Sequence, residues 1–566
     1  MITIKHLYAA ITLLFALTGY CQKLYKTYNF DFEKNINGDE DGWQAMFDSF
    51  QFSYDTISKV QGKRSIVFKR TYLPINFNLC LYNKILLPHS VNEISVSVFS
   101  KSSLLQSAWL KIAGFNKNGK IVVMDSVSIL SNDWKKFTGK ISCPDLYLVS
   151  IELRAMEQFK RKKDEVKLWL DDLSVSCEGV SLLSMKQPQN TDIENEIAEI
   201  TKNNPLTGEL ILPEPILADL ARKKVIGFGE TVHGSLETDK FIYNNIRQLI
   251  TDHNCRLVLF EMNIDRVALY NQYINGFTID TTDTPLKFLS YEFEKFIKWL
   301  KEYNATHSAK VNVAGIDLHS NPLSSNPIPP YINGFIKSFN SNSPKVDTLL
   351  QRINSGRYRR IPLKYAMDNE KELSSEFGKF NYQILKHILL SRTDSALVPP
   401  KFNIQVYFYW QQVHRDYTLW QNTKGVLKEF ADGKSPVVIC AHYAHLDKVS
   451  SIHFNEVTTL GQYLNQYYKD AYCHIGVILG EGQAGVMKGG NPVYYSLESP
   501  IKGSLEYLAM QTNQNYFYRK GYINSKIPMT IRRLGNSAAA SQFIPAYFKG
   551  SMNSFIFIRK SSPLFK

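Results

Sequence analysis

Residues 224–235 read Lys-Val-Ile-Gly-Phe-Gly-Glu-Thr-Val-His-Gly-Ser. The apolar run Lys224–Phe228 ends in a polar loop that carries Glu230 and His233. Behind it, Glu237–Thr251 places Phe241, Ile242, Ile246, Leu249 and Ile250 on one helical face. Strand, loop and helix in that order form the unit of an α/β fold, and the unit recurs. Further short apolar runs stand at Arg256–Phe260, Val311–Ile316, Pro436–Ala441, His474–Leu479 and Ser554–Ile558, with helical stretches between them. Near-continuous apolar strands alternating with helices predict a mainly parallel sheet covered on both faces. This α/β domain spans about 197–566. Within it, about 343–433 is helical in pattern and reads either as an insertion walling a cleft, with Tyr407, Tyr409, Trp410 and Trp420, or as a plain packing subdomain.

Upstream the periodicity is two. Ile94, Val96 and Val98 alternate with polar residues, and Trp109–Ile112, Ile121–Val127, Leu146–Leu153 and Val166–Leu170 continue the series. Asn118-Gly119 between two such runs is a hairpin turn signal, because a type I′ turn needs positive φ at both central residues. Residues 22–177 therefore predict an all-β, jelly-roll-like sandwich. Its opening Asp41-Gly42-Trp43 and closing Trp169-Leu170-Asp171-Asp172 resemble carbohydrate-binding modules appended to exported bacterial enzymes. That resemblance implies sugar contact through an exposed aromatic, although a Trp in such a sandwich more often packs in the core. Residues 178–196 are polar and aperiodic and read as a linker.

Residues 1–21 read as a signal peptide. Lys5 precedes an apolar stretch from Leu7 to Leu17 that is only 11 residues long, too short to span a bilayer. Gly19 and Cys21 supply small residues before a cleavage point. Lipidation of Cys21 is the alternative, with bulky Tyr20 against it. The expectation is an exported bacterial protein, periplasmic or secreted, with no transmembrane helix after signal removal. None of Cys80, Cys143, Cys177, Cys255, Cys440 and Cys473 forms a CxxC pair. An oxidising compartment would permit a disulfide, first of all at Cys143 or Cys177, but nothing in the sequence pairs them. The 566 residues are 44% hydrophobic and 13% aromatic, which excludes a disordered chain. The net charge is 66 − 52 = +14. The basic residues are scattered, with short clusters at Lys160–Lys163 and at Arg357, Arg359 and Arg360. They read as a solvated surface, and no nucleic-acid partner is expected.

Ligands of open α/β sheets bind beyond the carboxyl ends of the strands. Four strands deliver acid–base side chains to that edge: Glu230 and His233, then Glu261, then Asp317 and His319, then His442 and His445. One Glu or His after a strand is usually a cap; four such coincidences on one edge point to an active site. Together, Gly229-Glu230-Thr231-Val232-His233-Gly234-Ser235, Leu259-Phe260-Glu261 and His442-Tyr443-Ala444-His445 resemble the erythromycin esterase family over roughly residues 197–560. Two positions depart from that family's pattern. Ile242 stands where an arginine is usual, nine residues after the first histidine, and Tyr443 stands where an asparagine is usual.

The resemblance implies hydrolysis of a carboxylic ester or lactone by histidine-activated water, without a tightly bound cofactor. No G-x-S-x-G elbow is present to seat a serine nucleophile. His233 is the expected base, with Glu261 and Glu230 holding its tautomer. His442 and His445 are the expected oxyanion donors, and Asp317 or His319 would orient them. Substrates would be small-molecule or glycan-linked esters. Two alternatives stand beside this reading. In one, Glu230, His233, Glu261, His442 and His445 bind Zn²⁺ or Mn²⁺ in a metal-dependent hydrolase. In the other, the chain is a catalytically inactive surface binding protein.

Overall fold

The computed structural model describes residues 28–565 apart from 37–41, 48–50, 71–76, 106, 118, 158–165, 186–199, 202, 278–289, 318–330, 340, 356–359, 392–406, 450–457, 489–490, 502–503, 522–528, 534–542 and 547. The leader, most of the linker, Asn118, His319, Lys160–Lys163, Arg357 and Arg359 lie outside the described residues.

The N-terminal region is all-β. Its strands are β1 (Gln44–Phe47), β2 (Gln51–Asp55), β3 (Ser65–Arg70), β4 (Phe77–Ser103), β5 (Ser107–Phe115), β6 (Ile121–Ser128), β7 (Lys135–Glu157), β8 (Val166–Cys177) and β9 (Val180–Ser181). They pair in the order β2-β3-β8-β4-β7-β5-β6, with β1 on β4 and β9 on β8. β4 and β7 run antiparallel along nearly their whole length, and the register shifts between Leu86 and Glu93. Alternation does what the period-two pattern predicts: Val166, Leu168 and Leu170 are buried while Lys167 and Trp169 between them are only partly so. Trp43 is fully buried in this core, its indole N–H donating to the Tyr28 carbonyl at 2.9 Å. Trp169 faces outward, donates to Asp55 at 2.8 Å and is flanked by the ammonium groups of Lys101 and Lys167. Cys143 and Cys177 are both free thiols.

The second sheet contains β10 (Asn204–Pro205), β11 (Val225–Glu230), β12 (Leu257–Asn263), β13 (Asn312–Asp317), β14 (Val437–His442), β15 (Tyr472–Lys488), β16 (Asn491–Leu497), β17 (Tyr516–Lys520) and β20 (Ser554–Ser561). β18 (Met529–Arg532) and β19 (Phe543–Ala546) form a separate antiparallel pair. The order is β10-β17-β20-β15-β11-β14-β12-β13, with β16 on β15. The expectation of a mainly parallel sheet is corrected to a mixed one. β20-β15-β11-β14-β12-β13 is a parallel block, but β10, β17 and β16 attach antiparallel.

Both faces of the parallel block are covered. Ile226, Phe228, Val258 and Phe260 pack with Phe241, Ile246 and Phe296 on one side. Val225, Leu257 and Leu259 pack with Leu269, Phe335, Leu419 and Trp420 on the other. Helices Pro344–Asn354, Arg360–Asp368, Glu370–Phe377, Lys379–Ser391 and Tyr407–Phe430 occupy the stretch between β13 and β14. The last of them lies against β13, and both it and β19 touch β4 of the all-β region. Among the described residues no helix is long and apolar enough to cross a membrane.

Candidate active site

Because β11, β12, β13 and β14 are parallel neighbours, Glu230, Glu261, Asp317 and His442 arrive together at one edge. The loop after β11 is shaped by its glycines. A Cβ on Gly229 would sit 2.4 Å from Nε2 of His474, which lies buried behind the site against the Tyr443 ring. Gly234 has φ +88°, and a Cβ there would meet the Gly485 carbonyl oxygen at 2.2 Å. Ser235 then caps helix Leu236–Thr251, its side chain accepting from the Thr238 N–H. Gly234→Ala combines a disfavoured φ with a clash against backbone. It should cost about 1–3 kcal/mol, read as a lowered urea midpoint with an unchanged slope.

The Glu230 carboxylate lies 2.7 Å from Nδ1 of His233. This pairing places the imidazole proton on Nδ1 and leaves Nε2 as the acceptor. Burial alone would lower the His233 pKa, but Glu230 and Glu261 outweigh it and raise the group above its ordinary value. The His442 ring meets the His233 ring edge-on, with centroids 4.8 Å apart. His442 Nδ1 accepts from the Ala444 N–H at 3.2 Å, so neutral His442 carries its proton on Nε2. That Nε2 is buried and, among the described residues, has no hydrogen-bond partner. Burial, then the neighbouring His233 and Arg533, hold His442 well below its ordinary pKa. A neutral, unpartnered imidazole N–H beside a histidine base is a ready donor to a developing oxyanion.

The other predicted residues are held differently from the sequence expectation. Arg415, on helix Tyr407–Phe430, donates to both Asp317 carboxylate oxygens at 3.2 and 2.7 Å. It also donates to Glu261 at 2.5 Å and to His445 Nε2 at 2.9 Å. Glu261 therefore does not hold the His233 tautomer; its second oxygen accepts from the His442 backbone N–H at 2.6 Å. Burial would raise the Glu261 pKa, but His445, Arg415 and His233 hold it well below the usual carboxylate range. Asp317 grips Arg415 through both carboxylate oxygens. His445 Nδ1 donates to Asp416 at 2.9 Å while Nε2 accepts from Arg415, so His445 is a brace in this arrangement and has no free N–H for an oxyanion.

Sequence reasoning missed Arg415, Asp416 and Asp239. Arg415-Asp416 is a charged pair within an aromatic-rich helix, a signal that periodicity does not weigh. Asp239 lies in the first turn of helix Leu236–Thr251 and accepts from Ser290 Oγ at 2.6 Å. Burial, then the nearby Glu230 carboxylate, push it up to about 8, so it carries its proton at neutral pH. Among the described residues, no three His, Cys, Asp or Glu side chains are grouped to hold a metal ion. The Arg415 guanidinium instead takes up Glu261, Asp317 and His445.

Residues 407–560 match the erythromycin esterase family model. No curated protein matches the chain. A Bacillus cereus protein of known structure is 19% identical, with a TM-score of 0.51 over 66% of this chain and 98% of its own; the likeness shows a shared fold. A mutant of the erythromycin esterase EreC in its open conformation is 14% identical over 62% of this chain and 94% of its own, with a TM-score of 0.41. The all-β region is similar to a carbohydrate-binding module solved with β-1,4-galactotriose. That match is 15% identical over 26% of this chain and 99% of the module, with a TM-score of 0.20.

Proposed function

We propose that the chain is an exported, esterase-like hydrolase that cleaves a carboxylic ester or lactone by direct attack of a histidine-activated water. The observation that carries this reading is the pairing of His233 with His442. One imidazole has its Nδ1 proton fixed by Glu230 and its Nε2 lone pair open. The other is neutral, with an Nε2–H that no group among the described residues accepts. Water loses its proton to His233 Nε2 as its oxygen attacks the acyl carbon. The carbonyl oxygen, becoming an oxyanion, accepts from His442. On collapse the acyl–oxygen bond breaks, and His233 returns the proton to the leaving alkoxide. Arg415 acts at one remove: it fixes Glu261, which fixes the His442 backbone, and it fixes His445. On this reading the same residues would need no resident divalent ion. The all-β region would hold the enzyme on a glycan, with Trp169 the outward aromatic best placed to meet a sugar ring.

An ester panel in chelator tests this reading: an activated aryl ester, an acetylated sugar and a macrolide lactone. Turnover in chelator supports it. Activity that appears only after Zn²⁺ or Mn²⁺ is restored would reassign the same residues as metal ligands, and silence across the panel would favour a binding protein. The pH profile adds a signed expectation. The base works only when unprotonated and its pKa is raised, so kcat/KM should be full at alkaline pH. It should fall as the pH drops through a value above 6.5, the ordinary histidine value. His442, held low, adds no second limb in that range.

A further inference from the structure

The outward face of β3, β8 and β4 gathers cations around an aromatic ring. Pairing in register places Lys69 opposite Lys167, and both Val67 and Lys101 opposite Trp169. Side chains two apart on a strand point the same way, so Lys69, Lys101, Lys167 and the Trp169 indole share that face. The Lys101 and Lys167 ammonium groups stand 5.6 and 5.9 Å from the ring centroid. The ring itself is held in place. Its N–H donates to one Asp55 oxygen at 2.8 Å, and the other Asp55 oxygen accepts from the Ile57 and Ser58 N–H groups at 2.9 and 3.0 Å. Neighbouring carboxylates are committed in the same way. Asp171 accepts from the Val60, Gln61 and Asp172 N–H groups, and Glu33 from those of Lys63 and Arg64. These bonds hold residues 57–64 beside the indole and leave the Ile57 side chain almost fully exposed. Among the described residues neither Lys69 nor Lys101 forms an ion pair, whereas Lys111 and Lys140 elsewhere in the region bind Glu152 and Glu93.

We propose that this face binds an acidic glycan, a polyuronate whose ring stacks on Trp169 while its carboxylate meets Lys101 and Lys167. The inference rests on the reading of the all-β region as a glycan holder and names the class of glycan. An indole already fixed by Asp55 loses little freedom on binding, and its apolar face suits the C–H face of a pyranose. A uronate carries its carboxylate directly on the ring. Stacking on the indole therefore brings the charge to the ring's periphery, where the two ammonium groups can donate charge-assisted hydrogen bonds to it. Nucleic acid fits less well, because its phosphate lies beyond the ribose, farther from a stacked base than these ammonium groups are from the indole. The hydrolase is thereby held on an acidic polysaccharide, a polymer whose carboxyl and hydroxyl groups both form esters.

The full chain should be titrated by calorimetry with oligogalacturonate and with oligomannuronate, each beside its amide. The amide keeps the ring, the linkage and the shape, removes the charge and offers no ester to cleave. At least one acid should bind about tenfold or more tightly than its amide. Raising the salt from about 0.05 to about 0.5 M should erode that advantage, because the paired charges are exposed to solvent. The double variant Lys101→Gln with Lys167→Gln, shown to be folded by its thermal melt, should bind acid and amide alike. Trp169→Ala should weaken both by about tenfold. Equal binding of acid and amide by the wild type would overturn the acidic-glycan assignment and leave the glycan-holding reading intact. No binding of acid, amide or neutral galactan would remove both. An acid preference that survives in the double lysine variant would overturn the site, and tighter binding of oligothymidylate than of either uronate would give the face to nucleic acid.

Discussion

His233→Ala should lower kcat by about 10²–10⁴-fold, the usual contribution of a positioned general base. It should do so with little loss of stability, because the side chain is a fifth exposed and its one hydrogen bond is to an equally accessible Glu230. The comparison with His442→Ala is informative. Removing the oxyanion donor should also reduce kcat, by about 10²–10³-fold. It should leave the acid limb of the pH profile in place, because the limb belongs to His233. His233→Ala should remove the limb altogether. A variant lacking His233 that retains wild-type turnover would end the case for this residue as the base.

Arg415→Met should strip the site of its shared cation. It leaves Glu261 and Asp317 without their cation and His445 Nε2 without its donor. Truncating one member of a buried charge pair costs about 2–5 kcal/mol. The Arg415 side chain is 39% exposed, so water screens part of that loss and about 2 kcal/mol is expected. Activity should fall at least tenfold, because the Glu261 carboxylate that fixes the His442 N–H is no longer held. Arg415→Lys should restore charge but not the fork, since an ammonium cannot serve Asp317 bidentately while also reaching Glu261 and His445. Stability should therefore recover more than kcat. Equal recovery of both would show that only the charge matters.

How much of this was legible in the sequence follows from which signals are local. The parallel block was readable because each strand is a compact apolar run, and in β11, β12, β13 and β14 the run ends in Glu, Asp or His, endings that converge once the strands pair in register. The antiparallel additions were not readable. β15 continues past Leu479 to Lys488, where Gly480, Gly482 and Gly485 dilute the apolar pattern, and β16 then pairs back on it. In the all-β region, β4 runs through Pro88-His89-Ser90 as one strand, with a register shift against β7 there. The site residues on strand ends were visible for the same reason that the strands were. Arg415 was not, because it comes from a helix whose own pattern says nothing of the edge it reaches. The arginine that the family pattern places at Ile242 is absent from that helix, and Ile242 is buried in the core. The guanidinium that does bind Glu261 comes from residue 415, a tertiary fact with no local signal.

The central claim is that water, and no protein side chain, attacks the acyl carbon. A single turnover in ¹⁸O-labelled water with enzyme in excess over ester tests it most directly. Direct attack puts the label into the released acid and leaves the mass of the protein unchanged. Label found in a protein carboxylate, with unlabelled acid released, would mean that a glutamate or aspartate of the site is the nucleophile, and would contradict the account.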